Sequence, residues 1–318
     1  MASEHGQSLY YVPEQSKFPF FASIGVALML VGVATWLNDL KAHNPNASPV
    51  ILIMGFVVIS AVLFSWFKAQ IHENLQGLAN AQLKRSYRIG MQWFIFSEVM
   101  FFATFFGGLF YVRELVGPWL SGEGVGAMTN KLLWQGFSYA WPLMETPQQA
   151  IGGVANQLIA NNGEFIGPKQ NMSFPGFSGM LDWLPFWNTA LLVTSSVTCE
   201  FAHHALKAKN RNKFIALLGV TVALGIAFIF LQVEEYHHAY TELGLTLKSG
   251  IYGTTFFMLT GFHGFHVCLG AFMLAVMFFR ALKGHFNEND HFGFEAASWY
   301  WHFVDVVWLF LVAVVYVF

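Results

Sequence analysis

Apolar residues dominate seven stretches of this 318-residue chain, and the polar residues gather between them. The runs cover 18–40, 49–68, 88–112, 185–206, 214–233, 251–282 and 294–318. A transmembrane α-helix needs roughly 20 mainly apolar residues to cross a hydrocarbon core of about 30 Å. Each run is therefore a candidate span, and the sixth is long enough to tilt or to reach past the lipid. The pattern predicts an all-α, polytopic membrane protein with seven transmembrane helices. Along the chain this gives an N-terminal segment over 1–17, helices one and two over 18–72, helix three over 88–114, a long connection over 115–184 and helices four to seven over 185–318. The connection is rich in Gly, Trp, Asn and Pro. Loops of that length are uncommon without a role or structure of their own, which predicts an ordered extramembrane flap with short helical pieces.

Composition sharpens the class. The chain is 55% hydrophobic and only 11% charged, with 35 Phe and a mean hydropathy of +0.49, outside the usual range of soluble domains. A net charge of −2 offers no basic excess for a nucleic-acid partner. What the charges do specify is orientation. One set of connections receives Lys17, Lys68, Lys84, Arg85, Arg88, Lys207, Lys209, Arg211, Lys213, Arg280 and Lys283, and the other only Lys41, Arg113, Lys131, Lys169 and Lys248. The positive-inside rule then predicts a cytoplasmic N-terminus and a C-terminus on the far side. The first residues have no basic n-region and no small-residue cleavage pattern, so no removable signal peptide is expected. Cys199 and Cys268 each lie in an apolar run and read as small buried hydrophobes. Without a C-x-x-C-H or a close Cys pair, no haem or thiolate-metal signature is present, and any redox metals are expected on another chain.

The ionisable residues inside these runs are the candidate chemistry. In "QWFIFSEVMFFATFF" one carboxylate, Glu98, interrupts an apolar helix, at a cost of roughly 2.5 to 3.5 kcal/mol at mid-bilayer. It follows Arg88 by ten residues, about 15 Å of helix. A carboxyl there can stay neutral and donate to a carbonyl or an imidazole, face the lipid, or handle a proton. Glu200-x-x-His203, paired with Glu234-x-x-His237 or Glu235-x-x-His238 and with Glu98 and Glu295, has the composition of a di-iron carboxylate site. Helix direction argues against it: span four carries its motif inward and span five carries its own outward, a bilayer apart. His263 or His266 with His302 has the ingredients of a bis-His haem site. The alternative is interhelical hydrogen bonding, with the i, i+3 pair His302 and Asp305 satisfying each other. At the charged edge, Trp66, Lys68, His72 and Glu73 close span two, and Arg280, Lys283 and His285 close span six. Such clusters hold anionic head groups or simply snorkel.

Four segments in order, "RIGMQWFIFSEVMFFATFF", "NTALLVTSSVTCEFAHHAL", "GIYGTTFFMLTGFHGFHV" and "HFGFEAASWYWHFVDVVWLFL", closely resemble subunit III of the haem-copper cytochrome c oxidases, over about 18–114 and 185–318. The resemblance implies helices one and two leaning away from helices three to seven around a V-shaped cleft filled with phospholipid. It implies a subunit without haem or copper that packs on the catalytic subunits I and II, which carry haem a and copper and are served by cytochrome c. It also implies protection of the enzyme during turnover and support of proton uptake. The family's carbodiimide-reactive carboxylate matches Glu98, and its lipid-contact positions match Trp66, His72, Glu73, Arg280, Lys283 and His285. His72 stands where some relatives have Arg. His263, His266, Glu295, His302 and Asp305 are left as an interhelical polar network. The long connection departs from the short mitochondrial form and, with "YYVPEQSKFPFFASIG", is more similar to a proteobacterial oxidase, hence to a plasma-membrane location. Related quinol oxidases carry a similar subunit without the first two helices, so seven spans favour the cytochrome c branch. A free-standing transporter with buried His and carboxylate relays is the alternative of another class.

Overall fold

The structure, a computed structural model, describes residues 15–44, 47–78, 81–160, 167–287 and 290–318. Most of the predicted N-terminal segment, residues 1–14, lies outside the described residues, as do 161–166 of the long connection. In chain order the helices are α1 (Phe18–Lys41), α2 (Val50–Leu75), α3 (Ala81–Phe110), α4 (Gly117–Leu120), α5 (Ala127–Leu133), α6 (Pro147–Ala160), α7 (Leu184–Lys207), α8 (Arg211–Thr241), α9 (Gly250–Leu282) and α10 (Phe292–Leu311). Short 3₁₀ turns at Gly124–Gly126 and Phe177–Asp182 add to α4, α5 and α6 in the long connection. No strand occurs among the described residues.

Among the described residues, six helices are long and apolar enough to cross a membrane: α1, α2, α3, α8, α9 and α10. The chain is thus a multi-pass membrane protein. The seventh expected span, α7, has 24 residues but carries Thr189, Thr194, Ser195, Ser196, Thr198 and Glu200. Its hydroxyls bond back along the helix, Thr189 to the Pro185 carbonyl at 2.7 Å and Thr194 to that of Ala190 at 2.7 Å, which removes part of their cost in lipid. Several helices outrun the apolar stretches. α2 continues to Leu75, α3 begins at Ala81, and α8 runs from Arg211 to Thr241. Lys, Arg, Gln and Glu are good helix formers, so the backbone stays helical where hydrocarbon ends.

The chain divides into two compact units, Met1–Gly90 and Met91–Phe318. In the first, α1 packs on α2 as a hairpin. Glycines set its spacing: a Cβ on Gly32 would lie 2.3 Å from the Leu52 nitrogen, and one on Gly55 2.6 Å from that of Met29. In the second, α7 packs on α8, α8 on α9, α9 on α10 and α10 on α7, closing a four-helix ring. Trp301 of α10, fully buried, fills its middle. A Cβ on Gly225 of α8 would meet the indole at 2.7 Å and one on Gly270 of α9 at 2.8 Å, and the indole N–H donates to Ser195 Oγ of α7 at 2.9 Å. One side chain thus touches the three other helices.

α3 rests on α9 and α10 through stacked and edge-on aromatics, among them Phe101 on Phe262, Phe102 on Phe303 and Phe106 on Phe310. Its end widens into a π-helical turn, Tyr111–Val116, and so does the end of α10, Val312–Val317. Arg113 from the first turn donates to the Val314 and Phe318 carbonyls of the second, and its own carbonyl accepts from Tyr139 at 2.7 Å. Burial, the dominant influence, raises the Tyr139 phenol above its ordinary pKa, opposed by Arg113 and assisted by Glu114.

Candidate functional site

Glu98 lies on the inward face of α3. Met91, Ile95, Phe102, Phe105 and Leu109 all contribute to the core, and Glu98 falls in the same i, i+3, i+4 stripe. That phase was readable in the sequence as a sign that Glu98 points at protein. The structure brings it 2.9 Å from Nε2 of His266 on α9, with the two side chains 20% and 7% exposed. The rings of Phe101, Phe102, Phe265 and Tyr300 surround the imidazole, with centroids 4.9 to 6.4 Å away.

The other ring nitrogen fixes the proton count. His266 Nδ1 lies 2.6 Å from the carbonyl oxygen of Phe262. A carbonyl only accepts, so Nδ1 carries a hydrogen. Either Nε2 is also protonated and faces a carboxylate, or Nε2 is bare and accepts from a protonated Glu98. In both cases one proton lies between Oε2 and Nε2, and the pair as a unit is neutral. A neutral pair avoids the cost of an isolated charge in lipid, which is how an apolar helix accommodates Glu98.

The remaining polar residues do not converge on one centre. His263, fully buried, places Nε2 3.3 Å from the Val304 carbonyl and packs on Trp308 and Phe228. His302 turns to α7 instead, with Nδ1 2.7 Å from Ser196 Oγ and Nε2 3.8 Å from Glu200, whose other oxygen lies 3.2 Å from His204. Asp305 approaches His302 only to 3.8 Å, beyond hydrogen-bond range. The expected i, i+3 partnership therefore gives way to one across helices, because Ser196 reaches the same nitrogen. Ser196 is a residue the sequence did not single out. Glu295 occupies the first turn of α10, where the helix dipole favours an acid. Among the described residues no group of three or more His, Cys, Asp and Glu is placed to hold a metal ion.

The lipid-edge candidates fall in both units. In the hairpin unit, Trp66 and His72 are exposed on the outer length of α2, Glu73 accepts from Gln70 at 3.2 Å, and His72 Nε2 lies 2.9 Å from Gln76 Nε2. In the other unit Lys283 is exposed, whereas Arg280 is buried, its guanidinium 4.7 Å over the Phe286 ring. Chain turning back after α9 covers the arginine that the sequence placed at an open edge. His285, just beyond α9, has its pKa lowered by burial first and by Arg280 and Lys283 next. Cys199 is buried as expected, while Cys268 is exposed on α9, since it lies on the face of that helix turned away from the ring.

Comparison with known proteins gives one result. The family profile described as "Cytochrome c oxidase subunit III" matches residues 8–120 and 180–318. Among curated relatives, "Cytochrome c oxidase subunit 3" of Dugong dugon is 34% identical over 313 residues, 98% of each chain. The protein of the same name from Neotragus moschatus is 35% identical over 313 residues, again 98% of each. The profile match leaves out most of the long connection between α3 and α7.

Proposed function

Since the chain belongs to the cytochrome c oxidase subunit III family, a component of the haem-copper oxidase complex, we propose that it is the non-catalytic subunit packed on oxidase subunits I and II. In this reading haem a and copper reside in those partners, cytochrome c delivers the electrons, and oxygen reduction to water is coupled there to proton translocation. The subunit sits in a bacterial inner membrane with its N-terminus cytoplasmic and its C-terminus periplasmic. Its contribution is to stabilise the catalytic subunit, to bind phospholipid and to support proton uptake.

The observation that carries the site-level reading is the Glu98–His266 pair, with His266 Nδ1 committed to the Phe262 carbonyl and Nε2 facing the carboxyl at 2.9 Å. One shared proton in an aromatic enclosure suits a buried, carbodiimide-reactive carboxyl that organises packing or a proton path. His263, Glu295, His302 and Asp305 serve the surrounding network. Trp66, His72, Glu73, Arg280, Lys283 and His285 are the proposed lipid contacts, Arg280 through packing over Phe286 rather than as an open cation.

The decisive experiment is mild-detergent purification through a tag on this chain, with an optical difference spectrum and subunit identification. Haem a bands with two larger partners are expected; a colourless, folded single chain would contradict the proposal. In that complex a hydrophobic carbodiimide should label Glu98, and Glu98→Ala should leave the haem spectrum intact. Absence of label at Glu98 in the intact membrane would refute its assigned role.

A further inference from the structure

A second carboxyl is buried more completely than Glu98. Glu235 of α8 is fully enclosed. Its Oε1 accepts from the Tyr316 phenol at 2.5 Å and its Oε2 from Asn188 Nδ2 of α7 at 3.3 Å. On α9, Phe256 packs its ring 5.5 Å from that of Tyr316. Phe256 precedes His266 by ten residues, so this cluster lies about 15 Å along the helix from the Glu98–His266 pair.

Around Glu235 the polar groups are not all paired. Among the described residues, Oδ1 of Asn188, both amide atoms of Gln232 and Nε1 of Trp183 are buried without a hydrogen-bond partner. Asn188 is fully buried and Gln232 is 5% exposed. Gln232 stands one turn from Glu235 on the same face of α8, and the Trp183 ring lies 5.8 Å from that of Tyr316. Unpaired buried polar atoms are rare. Several buried donors and acceptors gathered around one carboxyl can supply the two to four polar partners that an internal water needs.

The titratable groups that face the carboxyl are phenols. Tyr316 donates to it, Tyr252 accepts from the Met172 backbone at 3.0 Å, and Tyr236 pairs with Thr260 at 2.6 Å. Arg113 reaches the same terminal turn but bonds the Val314 and Phe318 carbonyls. Glu234 and His237 are exposed on the opposite face of α8. The local bonding serves either protonation state. A carboxylate accepts from Tyr316 and Asn188 as they stand. A carboxylic acid keeps the Tyr316 bond and donates from Oε2 to Asn188 Oδ1 once the amide turns over, using an oxygen that otherwise has no partner.

We propose that Asn188, Gln232 and Trp183 bind internal water beside Glu235, and that this water makes Glu235 an exchangeable proton-holding site separate from the Glu98–His266 pair. The test uses the intact complex. Rapid hydroxyl-radical labelling in ¹⁸O water should mark Tyr316 despite its enclosure and leave the equally buried Trp301 unmarked. Asn188→Leu together with Gln232→Leu should reduce that label to background. In infrared difference spectra between high and low pH, a protonated-carboxyl band should disappear in Glu235→Gln and persist in Glu98→Gln. Tyr316→Phe, which keeps the carboxyl but removes its donor, should shift the band rather than abolish it. Labelling requires no variant, so Tyr316 as unreactive as Trp301 in the wild-type complex would overturn the proposal. So would a band indifferent to both Glu235→Gln and Tyr316→Phe.

Discussion

Of the apolar stretch of α1, and likewise of α2, 11% is buried; of that of α10, 56%. Similar helices thus reach opposite outcomes. Lipid tails are as apolar as leucine, so hydrophobicity does not drive one transmembrane helix onto another, and close packing and hydrogen bonds must do it. The hairpin uses packing. Gly25, Gly32 and Gly55 let α1 and α2 approach until backbone meets backbone, while Ser23, Thr35 and Ser65 bond to carbonyls of their own helices. The ring uses polar seams. Thr198–Thr221 joins α7 to α8, Tyr236–Thr260 joins α8 to α9, His263 to the Val304 carbonyl joins α9 to α10, and Trp308–Thr189 with Trp301–Ser195 joins α10 to α7. Shape alone leaves a helix free to slide or rotate by small steps; a buried hydrogen bond at each seam fixes depth and phase, which is what a bundle carrying Glu98 and Glu235 requires.

The comparison breaks most visibly at Trp301. Trp301→Ala removes the filling of the ring and the N–H donated to Ser195 Oγ, an expected loss of about 3–5 kcal/mol, read as a lower midpoint of thermal unfolding in nanodiscs. Reactivity of a Val62→Cys reporter buried in the hairpin should stay unchanged, since that unit holds together by other means. Next comes Gly32→Ala. Its added methyl would meet the Leu52 backbone at 2.3 Å, and backbone cannot yield as a side chain does, so about 1–3 kcal/mol of hairpin packing should be lost. The same reporter should then react faster, with the ring's unfolding midpoint unmoved. If both substitutions move both readouts equally, the two units do not differ in the way described.

A smaller contrast separates the two uses of a hydroxyl. Ser195→Ala removes the acceptor of the Trp301 N–H, and interhelical hydrogen bonds in membranes average about 0.6 kcal/mol. Ser23→Ala removes only a bond to the Phe20 carbonyl one turn back, and unfolding should not register it.

How much of this the sequence disclosed depends on the range of the interaction. The seven runs, the helical connection and the placing of Glu98 inside a span follow from local hydropathy and period. That Glu98 faces protein was also present, in its phase with Met91, Ile95 and Phe102. Its partner was not, because Glu98 and His266 are 168 positions apart and several imidazoles were equally eligible. The same holds for Ser196, which takes the His302 nitrogen assigned to Asp305, and for Asn188 and Tyr316, whose role at Glu235 exists only once three helices meet. Arg280 read as an edge cation because its position on α9 is terminal; Phe286 covers it through a turn whose direction no periodicity records.

The smallest expected effect lies at the charged rim of the ring unit, where His285 follows the end of α9. Burial, and after it the positive charges of Arg280 and Lys283, hold this imidazole below its ordinary pKa, so the fold favours its neutral form. The unfolded chain titrates near the ordinary value of about 6.5. Above that pH the ring is neutral in both states and stability is unaffected. Below it the unfolded state takes up a proton that the folded state resists, and stability falls as pH drops through the folded value. Replacing the ring by an amide removes the titration, so the fall in unfolding midpoint between about pH 8 and pH 5 should be shallower in His285→Gln than in the wild type, while the two coincide at the higher pH. Equal slopes would mean that protonation of His285 is not resisted at this rim, and that the cations of α9 are arranged for something other than the imidazole beside them.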